Sequence, residues 1–217
     1  MQFGDSSQAK LEETFISYLI QSMVEEKTII ILLYMILMPC VAATAQCLRP
    51  GYLLFHVPQK SNHITEVTPA MIDHVAIALS SDSVIEAVPK HGVIVTPIDS
   101  LRRQEGYYIV CKVKRAHVAR SLRNARRYLG RQYDYVFLPD NDDIYCSELV
   151  QLSFVDRHEC PIFVPVPMSF HDATGCITDY WRQFYAHRGL PVPEGLPGTN
   201  PAELSKRRCI KEIGRLE

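Results

Sequence analysis

Cys146 stands in the stretch YDYVFLPDNDDIYCSELV (Tyr133 to Val150), where an acidic, turn-prone loop meets an apolar run. A thiol becomes a good nucleophile when it is held as thiolate. The free N–H groups and dipole of a helix N-terminus do this, and a neighbouring histidine adds to it. Cys146 meets the first condition if a helix opens with it, and none of the other cysteines opens a helix so clearly. Asp142 and Asp143, just upstream, supply turn and capping candidates. The competing reading is a core thiol, because cysteine is among the most buried residue types.

A base for that thiol has to come from eight histidines. His74 begins HVAIAL, a run of small and apolar residues in which a polar side chain needs a reason. A hydrogen-bonded histidine at a strand edge is the plainer alternative. His91 falls in a turn, and His117 and His187 fall on charge-rich helices. The third group of a triad orients the imidazole through its other nitrogen. Glu86 interrupts the apolar VIEAV, where a carboxylate is expensive unless paired. If the strands of His74 and Glu86 form a hairpin, the two share a face only when pairing indices sum to an even number. That demands an odd loop such as Ser80 to Asp82, or a bulge. Ala76 and Ala78 share the face of His74 and leave room for a partner.

Other chemistry fits poorly. DNDD resembles the start of a calcium loop, but Ile144 stands where a ligand is needed and no glycine follows. Ser147 does not match a G-x-S-x-G elbow. No Cys/His set has zinc spacing, so neither a metal nor another cofactor is expected.

The elements that must position these residues divide into a β-rich half and a helical half. GYLLFHV (51–57) reads as a strand after a Pro-Gly turn. Alternation in 73–98 predicts strands near 74–79, 84–88 and 92–96, and YYIVCKVK (107–114) predicts another. Residues 61–72 read as a helix or loop interrupted at Pro69. Residues 116–130 read as a helix with Val118, Leu122, Ala125 and Leu129 on its apolar face and Gly130 as its stop. Its four arginines read as a solvated face. Residues 146–155 predict a helix with Leu149, Leu152 and Val155 inward, and 172–187 a third, amphipathic helix. The tail 191–201, PVPEGLPGTNP, reads as irregular loop docked on the domain. The fold class is α+β, one antiparallel sheet with helices against it.

The chain has 217 residues and a formal net charge of −1, which suits one domain and argues against nucleic acid as a partner. It has no solenoid-period repeat. TIIILLYMILMPCVAATAQC (28–47) is an apolar run ending in small residues, with Ala43-Thr44-Ala45 in the A-x-A form of a signal cleavage site. Cleavage after Ala45 then leaves a single domain from residue 46 to 217. Met23 would start a signal of normal length, which makes 1–22 an upstream extension. An uncleaved membrane anchor is the alternative, although Pro39 and the small-residue flank fit a signal better. The seven cysteines do not form a dense framework, and no bridge is assignable.

DHVAI, then VIEAVPKHGV, then YDYVF…DNDDIYCSELV, in that order, resemble the circularly permuted papain-like amidases of the YaeF/YiiX type, within the broad NlpC superfamily. The similarity spans roughly Pro50 to Pro201, and YCSELV after YD is its most specific part. PEGLPGTNP followed by LSKRR resembles the ending of secreted members. The resemblance implies Cys146 as nucleophile, His74 as base and Glu86 as the orienting group. It implies a papain-like core, with the thiol's helix packed on an antiparallel sheet or small barrel. Members are thought to act at amide bonds involving amino acids, such as cell-wall peptides. Tyr133, Asp134 and Tyr145 fall in the motif beside the cleft and are carried over as substrate-site candidates, with loop anchoring as their alternative role. Members usually begin the domain with a Gly-Asp-Leu-Leu-Phe type strand. Here Tyr52 stands in place of the acid.

The expectation is an exported cysteine amidase or peptidase acting on a small peptide, an amino-acid amide or a cell-wall fragment. A thiol acyltransferase or lipid-handling enzyme of the same architecture is one rival. A binding module with a vestigial triad is the other.

Overall fold

A computed structural model describes residues 48–139 and 141–216. The expected extension, signal or anchor and its cleavage point after Ala45 lie outside the described residues. Six strands form one antiparallel sheet: β1 (Tyr52–Val57), β2 (His74–Ala78), β3 (Ser83–Val88), β4 (Gly92–Pro97), β5 (Tyr107–Val113) and β8 (Ile210–Arg215), in the spatial order β4-β3-β2-β1-β5-β8. The sheet is open, with β4 and β8 at its edges, so it does not close into a barrel. A second, two-stranded ladder pairs β6 (Val166–Pro167) with β7 (Pro197–Gly198).

Among the described residues the helices are α1 (Ile98–Arg102), α2 (Val118–Arg126), α3 (Cys146–Ser153), α4 (Asp179–Ala186) and α5 (Pro201–Ser205). Strand residues alternate between two apolar clusters. Leu53, Phe55, Val75, Ile77, Ile85 and Ala87 face the side covered by α2 and α3. Leu54, Ala76, Ala78, Val84, Tyr108 and Val110 face the other side, closed by Leu48 and by Ile98 and Leu101 of α1. With both faces covered, β2 and β3 read as near-continuous apolar runs.

The β2–β3 hairpin pairs Ile77 with Ile85 and Ala78 with Val84, an even index sum. Serines close its loop: Leu79 N–H donates to Ser83 O at 2.9 Å, and the Ser80 and Ser83 hydroxyls bond at 2.9 Å. The next hairpin turns through Pro89-Lys90-His91 into Gly92. Gly92 has φ +70°, and a Cβ there would lie 2.0 Å from the Arg131 carbonyl oxygen. This close approach lets Val93 N–H reach Arg131 O at 2.9 Å and ties β4 to the loop that leads into α3.

Several sequence expectations are corrected. The α2 helix ends at Arg126, because Arg127, Tyr128 and Leu129 make tighter i→i−3 bonds and Gly130 N–H turns to Val93 O. Its buried residues are Ser121, Leu122 and Ala125, while Val118 and Leu129 are exposed. His117 is the α2 N-cap, with Nδ1 accepting from Arg120 N–H at 3.3 Å. On α3, Leu149 and Val150 point inward and Leu152 is exposed. The expected helix from 172 begins only at Asp179. Asp172 folds residues 172–176 into a side-chain-closed turn, and Thr178 caps α4 by accepting from Trp181 N–H. The tail 191–201 contributes β7, and α5 follows from Pro201. Residues 61–72 form turns and no helix. The short α1 and the strand β8 carried no recognised signal.

Candidate active site

The α3 helix opens with Cys146, preceded by Tyr145 in extended conformation (φ −101°, ψ 168°) as N-cap. The expected caps, Asp142 and Asp143, do not serve. Glu148 instead reaches back and accepts from Tyr145 N–H at 3.4 Å, while Asp142 pairs with Arg131. The first α-helical bond runs from Leu149 N–H to Tyr145 O at 3.0 Å, so the amides of Cys146 and Ser147 are free of intrahelical partners. Their positive dipole end lies beside the thiol.

His74 is the first residue of the central strand β2, so its ring lies at an end of the sheet. The even register puts Glu86 on the same face, opposite Ala76, one pleat along from His74. His74 Nε2 and Glu86 Oε2 are 2.6 Å apart, so Nδ1 is not engaged by the carboxylate. The Glu86 side chain is only 3 % exposed and the His74 side chain 18 %. Burial opposes the charge on His74. The interactions with Cys146, and then with Glu86, outweigh burial and push the histidine up to about 10. Burial likewise opposes the Glu86 carboxylate, but its bond to His74 and the charge there hold it below the usual carboxylate range. His74 and Glu86 are thus joined directly, and Cys146 lies near enough to the His74 ring to influence its charge.

Other described thiols lack this setting. Cys111 lies inside the sheet, where burial pushes it up to about 12, and burial also raises Cys209. Both are suited to packing rather than reaction. Cys160 and Cys176 are exposed, and all five described cysteines are free.

Two clefts open beside the triad. One, of about 530 Å³ and open to solvent, holds Cys146 and Ser147 against a largely aromatic wall that includes Tyr133, Phe137, Tyr145, Phe170 and Trp181. The other, of about 940 Å³, lies on the His74 and Glu86 side. They share Ile64, Asp73, Tyr133 and Trp181.

Tyr133 and Tyr145 line the thiol's cleft. Tyr145 OH accepts from Thr199 N–H at 3.1 Å, docking the tail at the site, and burial pushes its phenol up to about 12. Burial, and then the charge at Cys146, raise Tyr133 as well. Asp134 is held within its own loop, the anchoring role raised above as its alternative. It is fully buried, and its oxygens accept from the amides of Val136, Phe137 and Leu138 at 2.7, 2.9 and 3.0 Å and from Asn141 Nδ2 at 3.1 Å.

Sequence reading missed most of the wall: Ile64, Val67, Met168, Phe170, Trp181 and Thr199. They come from loops and from α4, joined by Trp181 Nε1–H donating to His63 O at 3.1 Å and Tyr185 OH donating to Val136 O at 2.9 Å. Such residues carry no periodicity. The one available signal was the chain's single tryptophan on an amphipathic helix.

A thiol at a helix start, facing a strand-borne histidine held by a carboxylate on the next strand, defines the papain-like class of arrangement. The chain belongs to the permuted papain-like amidase family of the YaeF/YiiX type (C92), whose profile matches residues 47–212. A search of curated proteins returns no match. Among solved structures, a chain described as metalloprotein yiiX from Escherichia coli O157:H7 is similar at 19% identity and TM-score 0.63, covering 78% of this chain and 98% of its own. That likeness establishes the shared fold. Among the described residues no three His, Cys, Asp or Glu side chains converge as a metal-binding set.

Proposed function

We propose that the protein is a cysteine amidase or peptidase in which Cys146 is the nucleophile, His74 the base and Glu86 the orienting group. The observation that supports this reading is the 2.6 Å contact between Glu86 and His74 Nε2, which leaves the other ring nitrogen available to a thiol. In this mechanism the Cys146 sulfur attacks a carbonyl carbon. The Cys146 backbone N–H receives the developing oxyanion. The imidazolium of His74 gives its proton to the departing amine, leaving a thioester, and then takes a proton from the water that hydrolyses it. Glu86 keeps the ring in register and offsets its charge through both steps.

The clefts divide the substrate. The aromatic wall beside the thiol suits a largely apolar acyl half, and the cleft on the His74 side receives the amine. An amino-acid amide, a small peptide or a cell-wall fragment fits this division. The same wall favours, as second reading, an acyltransferase that passes the acyl group to an acceptor other than water. The sequence of residues 28–45 leads us to infer an exported enzyme. Gel fractionation of cells for a product shortened by 45 residues tests that, and a full-length membrane-bound chain contradicts it.

For the chemistry, a panel of peptide amides and cell-wall peptides is incubated with wild type and Cys146→Ala. Turnover is expected to vanish in the variant, with the melting temperature nearly unchanged. Hydrolysis at the wild-type rate in Cys146→Ala overturns the mechanism. Product analysis with water and amine acceptors separates hydrolase from transferase.

A further inference from the structure

A second histidine–carboxylate pair adjoins the triad, and the proposed mechanism does not use it. His56 on β1 is the direct cross-strand partner of His74 on β2. His56 Nδ1 lies 2.7 Å from Asp73 Oδ1, and Nε2 lies 2.8 Å from the carbonyl oxygen of Glu105. Neither acceptor has a proton to give while Asp73 is ionised. Both ring nitrogens of His56 must therefore donate, and only the imidazolium has two N–H groups. Asn62 Nδ2–H donates to the other Asp73 oxygen at 2.6 Å and completes the cradle. The backbone is shaped to permit it. Gly106 has φ +98°, and a Cβ there would stand 2.3 Å from Val57 O and 2.9 Å from His56 Nε2. The side chains are 12 % and 17 % exposed. Burial opposes both charges, but their mutual bond outweighs it, raising His56 and lowering Asp73.

We propose that His56 is a standing imidazolium cation, and that the His56–Asp73 ion pair is a positioning element that balances the charge felt by His74. The proposal rests on the reading of His74 as the reacting base. The charged and titratable groups around His56 are Asp73 and His74 on the β2 side, Glu86 on β3, Tyr108 on β5, whose ring centroid is 4.9 Å away, and His63 across the shared cleft. At His74 the cation of His56 and the anion of Asp73 largely cancel. Removing the cation alone leaves Asp73 to favour protonated His74. Removing both restores the balance.

The test is an NMR titration of the imidazole signals from pH 5 up to the alkaline limit of the folded protein, about pH 12, with His74→Gln used for assignment. In wild type at pH 7.5, about one unit above an ordinary histidine midpoint, the His56 nitrogens are expected to show the doubly protonated form. In His56→Gln the His74 midpoint is expected to rise by roughly one pH unit, a tenfold change in its proton equilibrium. In His56→Gln/Asp73→Asn it is expected to return to the wild-type value. A loss of packing alone would leave the double variant at least as displaced as the single one. A neutral His56 tautomer in wild type, an unmoved or lowered midpoint in the single variant, or a double variant that stays displaced overturns the proposal. The wild-type measurement decides the charge of His56, on which the balance at His74 depends, even if the variants do not fold. Iodoacetamide alkylation of Cys146 is a separate readout. An inert thiol counts against the nucleophile and leaves the His74 titration intact.

Discussion

Glu86 lies in a strand whose neighbours are apolar, and a ring nitrogen 2.6 Å away is what keeps it charged. Its folded pKa is below its ordinary value of 4.5, so the folded state holds the proton less readily than the unfolded one. The stability this contributes is fully present above about pH 4.5 and is lost as pH falls through the lower folded value. Glu86→Gln is therefore expected to cost about 1.5–3 kcal/mol at pH 7, the worth of a hydrogen bond to a charged group. The gap should narrow in acid, and urea unfolding of both proteins at pH 7 and pH 4 measures it. A gap that widens in acid contradicts an ionised Glu86. The same bond bears on activity. With His74 raised to about 10, the alkaline fall of kcat/KM is expected near pH 10 rather than near 6.5. It should move toward neutrality in Glu86→Gln.

The loop from Tyr133 to Tyr145 does for the thiol what β2 and β3 do for the histidine. Asp134 ties it internally, Tyr133 and Ile144 bridge its ends, and Arg131 O receives β4. Cys146 thus opens its helix at a place set by three separate attachments. Asp134→Ala removes the acceptor of three amides and the Asn141 side chain. It is expected to destabilise the protein by about 2–4 kcal/mol, since buried donors left unpaired cost about 1–3 kcal/mol each and some regain water. Thermal unfolding measures the loss. If Asp134 instead contacted substrate, the variant would raise KM with its melting temperature unchanged, and that result would remove the anchoring role.

Across the whole molecule, the site depends on a sheet whose last strand is supplied by the far end of the chain. β8 pairs with β5, which pairs with β1, whose next neighbour is β2 with His74 at its start. Ile210 packs on the cluster that holds Cys111, Val113 and Cys146. Ending the chain at Cys209 is expected to lower the melting temperature by about 5–10 °C, from roughly 2–3 kcal/mol of lost apolar burial. It also bares β5 as an edge. Calorimetry and light scattering test this, and an unchanged Tm would mean that β8 is dispensable.

Much of this was legible in the sequence. Alternation in 73–98, and apolar runs bounded by turn residues elsewhere, marked β1 to β5. The motif order around His74, Glu86 and Cys146 carried the resemblance to the family. A three-residue loop after Leu79 decides by parity alone whether His74 and Glu86 share a face. What only the tertiary structure decided depends on contacts between distant segments. Tyr145, with Glu148 reaching back to it, rather than Asp142 or Asp143, caps α3. Asp134 turns into its own loop. Phe170, Trp181 and Thr199 come from separate loops and helices to wall the cleft. His56, unremarkable in GYLLFHV, becomes the neighbour of His74 through antiparallel register, and it gains a second acceptor because Gly106 lets the chain approach. Periodicity reports which face a residue takes. It is silent on which distant residue waits there, and the charge of a buried histidine is set by that second fact.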